Sequence, residues 1–252
     1  MTINRTLLVF GFLAVLLPAV SVSLAAEEGK QVILDKDPNL MGWWKFDETS
    51  GNTAADSSKH KRKGTLAGES TFDKASADGK VGKALKLERN DSVEIKGYKG
   101  VTGTAPRTVT AWIKTKERRG DIVVWGERDS GKQFCFRHIR GRIGMTPFGG
   151  YYYMKEYTDD DKWHHIAVVV EEAELPNLYD DIVLYLDGEV AVLDDIGLLG
   201  LMPVETAEKE DVRIGGGYEG LIDDVRIYSR ALSIDEIKAI HQGKSDKPLA
   251  KP

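Results

Sequence analysis

Between residues 40 and 216 the chain is cut into short runs of four to eight residues, and that rhythm limits what it can become. GWWKFDE, ALKLE, SVEIKG, TVTAWIKT, DIVVWGE, QFCFRHI, WHHIAVVV and VRIGG are rich in Val, Ile and Trp, with glycine- and aspartate-rich turns between them. Such runs are short for helices, whereas β-branched and aromatic residues fit a pleated, half-buried surface. In DIVLYLDGEVAVL two alternating runs meet at Asp187-Gly188, a pair that tolerates the positive φ of a type I′ turn, so a hairpin is predicted there. No repeat of solenoid or propeller period and no internal linker occur, so residues 40–243 read as one all-β domain.

One helix is expected, at SIDEIKAIHQG. Ser233 is placed as N-cap, and Glu236 three residues on completes a capping box. Leu232 and Ile237 can form a hydrophobic staple; Ile234, Ile237 and Ile240 share an apolar stripe, and Gly243 can close the C-terminus. Residues 27–39 and 244–252 read as polar tails, the second charged, proline-bearing and disordered.

The opening MTINRTLLVFGFLAVLLPAVSVSLAA has one basic residue, Arg5, an uncharged apolar run and small residues at its end. That is the pattern of a secretory signal peptide over residues 1–26, with cleavage near Ala26 or Glu27. No other segment approaches the ~20 apolar residues of a spanning helix, so no membrane span is expected after cleavage. Forty acidic against thirty-five basic residues give a formal charge of −5, without a basic stripe. Nucleic acid is thereby disfavoured as a partner. Cys135 is the only cysteine, so no intramolecular disulfide can form, and its place between two phenylalanines in QFCFRHI argues for a buried, inert thiol.

GWWKFDETSGNTAADSS, GKALKLERNDSVEI, TVTAWIKT, KWHHIAVVV, LYLDGEV and GLIDDVRIYSRALSIDEI follow one another in an order that resembles laminin G-like, concanavalin A-like domains of secreted bacterial proteins. The likeness covers about residues 40 to 242. It implies a jelly-roll sandwich of two antiparallel sheets, and it leaves the ligand open, because lectins, adhesion modules, calcium binders and glucanases share the fold. One departure stands out. DSSKHKRKG replaces a compact glycine turn with a basic loop, Lys59 to Lys63, which reads as a solvated charged tip.

Three carboxylates form a candidate metal set. On a period-two count Asp223 shares a face with Leu221, Val225 and Ile227, while Asp224 goes with Ile222, Arg226 and Tyr228. Glu48 likewise shares a face with Trp44 and Phe46, and Asp56 follows in a polar turn. The resemblance implies that first and last strands lie side by side, which would bring Glu48, Asp56 and Asp223 together as oxygen ligands for a structural Ca²⁺. The competing reading makes Asp56 the cap of its own turn and gives Asp223 backbone N–H groups or an arginine as donors. For carbohydrate the candidates are Tyr151 and Tyr153 in FGGYYYMKEY, which share one face of a strand, with Trp125 and Arg137 flanking them.

Enzyme signatures are missing. No E-x-D-x-x-E string, H-E-x-x-H or G-x-S-x-G occurs, and His164 and His165 fall on opposite strand faces. The reading is a secreted or periplasmic, non-catalytic module that binds a polysaccharide or cell-surface glycan, with one structural Ca²⁺. Two alternatives stay open: a structural or adhesive module that binds an extracellular protein and no glycan, and a glycoside hydrolase.

Overall fold

The computed structural model describes residues 32–68, 70–195 and 202–249; the expected signal segment lies outside them. The strands follow in order as β1 (Leu40–Trp44), β2 (Thr53–Ala54), β3 (Gly64–Ala67), then one helical turn α1 (Phe72–Ala75), β4 (Ser76–Asp78), β5 (Lys83–Leu87) and β6 (Ser92–Ile95). Next come β7 (Arg107–Lys114), β8 (Arg119–Gly126), β9 (Gln133–Ile139), β10 (Arg142–Thr146), β11 (Tyr152–Met154) and β12 (His164–Val170). The chain ends with β13 (Ile182–Leu186), β14 (Glu189–Val190), β15 (Leu193–Asp195), β16 (Glu210–Gly215), β17 (Gly220–Tyr228) and the helix α2 (Ile234–His241).

These strands make two antiparallel sheets. One has eight strands, in the order β14-β13-β12-β7-β17-β5-β4 with β1 also paired to β17; the other has nine, in the order β15-β11-β10-β9-β8-β16-β6-β3-β2. Their inner faces share one core, in which Trp44, Phe46, Val109, Ile166 and Val225 meet Val93, Trp125, Phe134, Phe136 and Ile214. The Asp187-Gly188 hairpin forms as expected, both residues at positive φ (51° and 87°) between β13 and β14.

The outer faces of the two sheets differ, and this sets where a site can be. Helix α2 packs against the outer face of the eight-stranded sheet in a second apolar cluster with Trp43, Ala167, Val169, Tyr185 and Tyr228. The helix forms where the sequence placed it. Ser233 accepts from Glu236 N–H, and the Glu236 carboxylate accepts from Ser233 N–H. Ile237 and Ile240 are buried, whereas Ile234 lies on the stripe's edge and is 36% exposed. With both faces covered, β12 reads HHIAVVV with six of seven residues buried, the continuous apolar run such a strand requires. No helix of the described residues covers the outer face of the nine-stranded sheet.

The two tails need correction over their described parts. Val32 pairs with Leu249, Asp35 N–H donates to the Ser245 carbonyl at 3.2 Å, and Leu34 is fully buried in the cluster under α2. Charge holds the same seam. Arg226 contacts Asp35 at 2.7 Å, and Arg230 bridges Asp37 and Glu236, each at 2.6 Å. Short polar segments at both chain ends thus close over the sheet by pairing with each other.

Asp223 also sits differently from the period-two count. β17 changes partner along its length: Gly220 to Ile222 pair with β5, and Val225 to Tyr228 pair with β1. Between them Asp224 takes a positive φ of 50°, a bulge that lets both Ile222 and Val225 face the core. Asp223 therefore lies opposite Trp112, on the outer face.

Candidate functional site

The open face of the nine-stranded sheet carries a row of polar side chains dictated by register. Asp121 on β8 lies opposite Arg137 on β9, Arg137 opposite Gly144 on β10, and Gly144 opposite Tyr153 on β11. Asp121 binds Arg137 at 3.1 Å and, through its other oxygen, Arg213 of β16 at 3.3 Å. Beneath them the buried Cys135 thiol contacts Asp121 at 3.4 Å. Burial first, and then the Asp121 charge, holds that thiol well above its ordinary pKa, so it is unreactive wall. Gly144 keeps the row hollow: a Cβ there would stand 2.7 Å from the Tyr153 Cβ and 2.4 Å from the Tyr152 carbonyl oxygen.

Three adjoining hollows run across this face. The first, about 610 Å³, is bordered by Arg118, Arg119, Arg137, Arg140, Thr146 and Tyr151. The second, about 210 Å³, shares Arg137 and Thr146 with it and adds Asp121, Gln133, Phe148 and Arg213. The third, about 510 Å³, shares Gln133, Arg128 and Arg213 with the second. Together they form a trough with aromatic rims, Tyr151 and Phe148, each 38% exposed. Exposed aromatic rings beside convergent hydrogen-bonding groups are the composition of a ligand-binding hollow.

Of the expected aromatic residues, two come together and one does not. Tyr151 and Tyr153 stack in parallel, 5.8 Å apart with 5° between planes. Tyr151 is at the surface, while Tyr153 is buried below it against the Arg142 guanidinium, 4.3 Å from its ring. Tyr152 points the other way, into the core, and donates to the Ile182 carbonyl. Trp125 is corrected to a core residue. It is 1% exposed, stacks on Phe134 at 4.0 Å and donates to the Val101 carbonyl at 3.1 Å, so no ring face is offered to a ligand. Arg137 borders the same hollow as Tyr151. The other trough residues, Arg119, Asp121, Gln133 and Arg213, were not singled out, although alternation in RGDIVVW and QFCFRHI already placed polar groups on one face.

The expected carboxylate trio does not form a cage. Asp56 accepts four protein donors, from Trp43 N–H, Ser58 N–H, Ser58 O–H and Arg62 N–H at 2.7–2.9 Å, and so caps its own turn. The basic loop is pinned by that cap, with Arg62 also stacked over Tyr98 at 4.2 Å. Glu48 accepts from Ala55 N–H at 2.7 Å. Asp223 fills the gap where β17 changes partner, accepting Lys80 and Val81 N–H from the β4–β5 turn at 2.9 Å each. Its other oxygen, Oδ1, is buried with no partner among the described residues. Among those residues no three His, Cys, Asp or Glu side chains group as metal ligands.

A further hollow of about 1090 Å³ lies beside α2; of its charged members Lys36, Asp37, Glu171, Arg230 and Glu236, Arg230 already binds Asp37 and Glu236. No helix of the described residues is long and apolar enough to cross a membrane.

Comparison with known proteins agrees with this architecture. Domain 4 of AbnA, a GH43 extracellular arabinanase from Geobacillus stearothermophilus solved with arabinotriose, superposes with a TM-score of 0.59 at 20% identity, over 81% of this chain and 98% of that one. The receptor binding domain of botulinum neurotoxin D gives 0.53 at 15% identity over 84% of this chain, and the binding domain of Paraclostridial Mosquitocidal Protein 1 gives 0.51 at 17% over 83%. The chain spans about half of those two structures, 54% and 53%. At such identities the likeness is one of fold. No curated protein matches the sequence. The family model described as the concanavalin A-like lectin/glucanases superfamily, Laminin_G_3, matches residues 87–238, from the end of β5 into α2, and the chain therefore belongs to that superfamily.

Proposed function

We propose that this protein is an exported, non-catalytic carbohydrate-binding module whose ligand lies in the trough on the outer face of the nine-stranded sheet. One observation carries the reading: the sheet face left uncovered by helix is the face with the Asp121–Arg137–Arg213 polar floor and the exposed rings of Tyr151 and Phe148. The floor offers fixed donors and an acceptor, and the rings offer flat apolar faces, as a pyranose or furanose requires. The solved domain of AbnA holds arabinotriose on the same fold, which supports a saccharide as the ligand class.

The test separates the two stacked tyrosines. Tyr151→Ala is expected to weaken retention on a polysaccharide array roughly tenfold, the loss of one stacking ring, while the melting temperature stays unchanged. Tyr153→Ala removes a buried ring and is expected to cost about 3 kcal/mol of stability. If Tyr151→Ala leaves every retained polysaccharide bound as before, the trough is not the site.

Calcium belongs to the proposal at Asp223 alone. Its Oδ1 is a buried carboxylate oxygen without a donor among the described residues, as is Glu48 Oε2, and Asp47 borders the same β4–β5 turn as Asp223, accepting Lys83 N–H at 2.8 Å. A cation bound only by the folded state would stabilise it by about 2.7 kcal/mol at a hundredfold excess over Kd. Added Ca²⁺ is expected to raise the melting temperature of the EDTA-treated protein by several degrees, Mg²⁺ is not, and Asp223→Asn should abolish the response. A melting curve indifferent to Ca²⁺ would leave Asp223 as the cap of its turn and nothing more.

A further inference from the structure

The first hollow of the trough differs from the rest in charge. Arg118, Arg119, Arg137 and Arg140 border it together with the exposed Tyr151, on a chain whose formal charge is −5. Two of these guanidiniums are already engaged: Arg118 binds Asp159 at 3.3 Å, and Arg137 binds Asp121 at 3.1 Å. Arg119 and Arg140 are exposed, and neither side chain has a hydrogen bond, ion pair or ring contact among the described residues. The fold holds the pair together, because Arg119 is opposite Ile139 in the β8–β9 ladder and Arg140 follows in the β9–β10 turn. Arg140 occupies that turn at a positive φ of 53°, followed by Gly141 at 85°. Next to them Arg137 keeps its Nε–H buried without an acceptor.

Guanidinium groups recognise planar oxyanions through paired N–H donors. Two unengaged ones beside a stacking ring, at one end of a saccharide trough, are organised for a sugar ring that bears such a group. We infer that this hollow binds the oxyanion of an acidic saccharide, a carboxylate or a sulfate, with Arg119 and Arg140 as the charged contacts and Tyr151 under the ring. The inference rests on the trough being the carbohydrate site and adds the class of sugar. The third hollow is charge-balanced, with Glu94, Glu127, Glu210 and Asp211 against Lys99, Arg128, Lys209 and Arg213 at its border, so the excess of positive charge lies toward the first hollow and sets the direction in which a chain would lie.

The experiment uses the full chain and five immobilised polymers: polygalacturonate, the same polymer with its carboxyl groups reduced, dextran sulfate, dextran and a double-stranded DNA fragment. Retention on polygalacturonate or dextran sulfate is expected to exceed that on the matched neutral polymer by about tenfold or more, as hydrogen bonds to a charged acceptor allow. Whichever of the two is held more tightly names the oxyanion. Arg119→Gln/Arg140→Gln removes both charges while leaving unbranched polar side chains, and should bring the acidic polymer down to the level of its neutral match. Tyr151→Ala should weaken acidic and neutral polymers alike. Equal retention of both acidic polymers and their neutral matches, or a double variant that still prefers an acidic one, would overturn the inference and leave the trough standing as a neutral-sugar site. DNA held as tightly as the preferred acidic polysaccharide would also overturn it, since the arginines would then be a plain polyanion surface. Retention of none of the five would remove both this inference and the carbohydrate reading beneath it.

Discussion

Acidification from pH 7 to pH 4 is expected to remove about 3 kcal/mol of stability through His165 alone. This side chain is 1% exposed, its ring lies 5.1 Å from Trp112 and 5.7 Å from His241, and neither ring nitrogen has a partner among the described residues. Burial pushes its pKa down to about 3; His241 and Arg226 act in the same direction, and Asp187 opposes them. In the unfolded chain the imidazole titrates near 6.5. Between those values the unfolded state holds a proton that the folded state does not. Its contribution is therefore complete above about pH 6.5 and is lost as pH falls toward 3. His138, also buried and lowered to about 4, adds to the loss with the same sign. Denaturant unfolding of the parent and of His165→Leu from pH 4 to 8 checks this. Superimposable profiles would mean that the imidazole is hydrated in the native protein.

Asp223 is expected to act in the opposite sense and with similar size. Burial lifts its carboxyl to about 7, with the charges of Asp224 and Asp47 reinforcing the rise and the N–H groups of Val81 and Lys80 opposing it. A carboxyl raised in the folded state stabilises below the ordinary value near 4, and that contribution is lost as pH rises through 7. By pH 8 the loss is on the order of 4 kcal/mol in the metal-free protein. The windows of Asp223 and His165 overlap between about pH 4 and 6.5, where their slopes oppose each other. Measured in EDTA, the parent should show the shallower profile. His165→Leu should then lose stability as pH rises, whereas Asp223→Asn should become the more acid-labile protein. An Asp223→Asn profile parallel to the parent's from pH 5 to 8 would show that this carboxylate is ionised throughout.

The ladder of residues that makes the trough shows how far a one-dimensional pattern reaches. Alternation alone implies that Arg119 and Asp121 share a face of one strand, and Cys135 and Arg137 a face of another. It could not tell that these strands are neighbours, that Arg213, more than seventy residues later, comes beside them, or that Gly144 leaves the hollow. Trp125 was misplaced for the same reason: a Trp in a strand faces either the core or the solvent, and only the Phe134 stack and the Val101 carbonyl decide which. Asp223 failed differently, because one bulge residue at positive φ resets the count by one.

What the sequence by itself determined are the properties that depend on neighbours along the chain. These are the short strands and their turns, the Asp187-Gly188 hairpin, the Ser233–Glu236 capping box, the parallel facing of Tyr151 and Tyr153, and the superfamily to which the chain belongs. Tertiary structure decided which of two similar sheets α2 would cover, and so which outer face stays open for a ligand. The physical reason is that each strand's apolar and polar faces are set by period two, whereas the identity of the surface that meets water depends on which distant segment buries the other one.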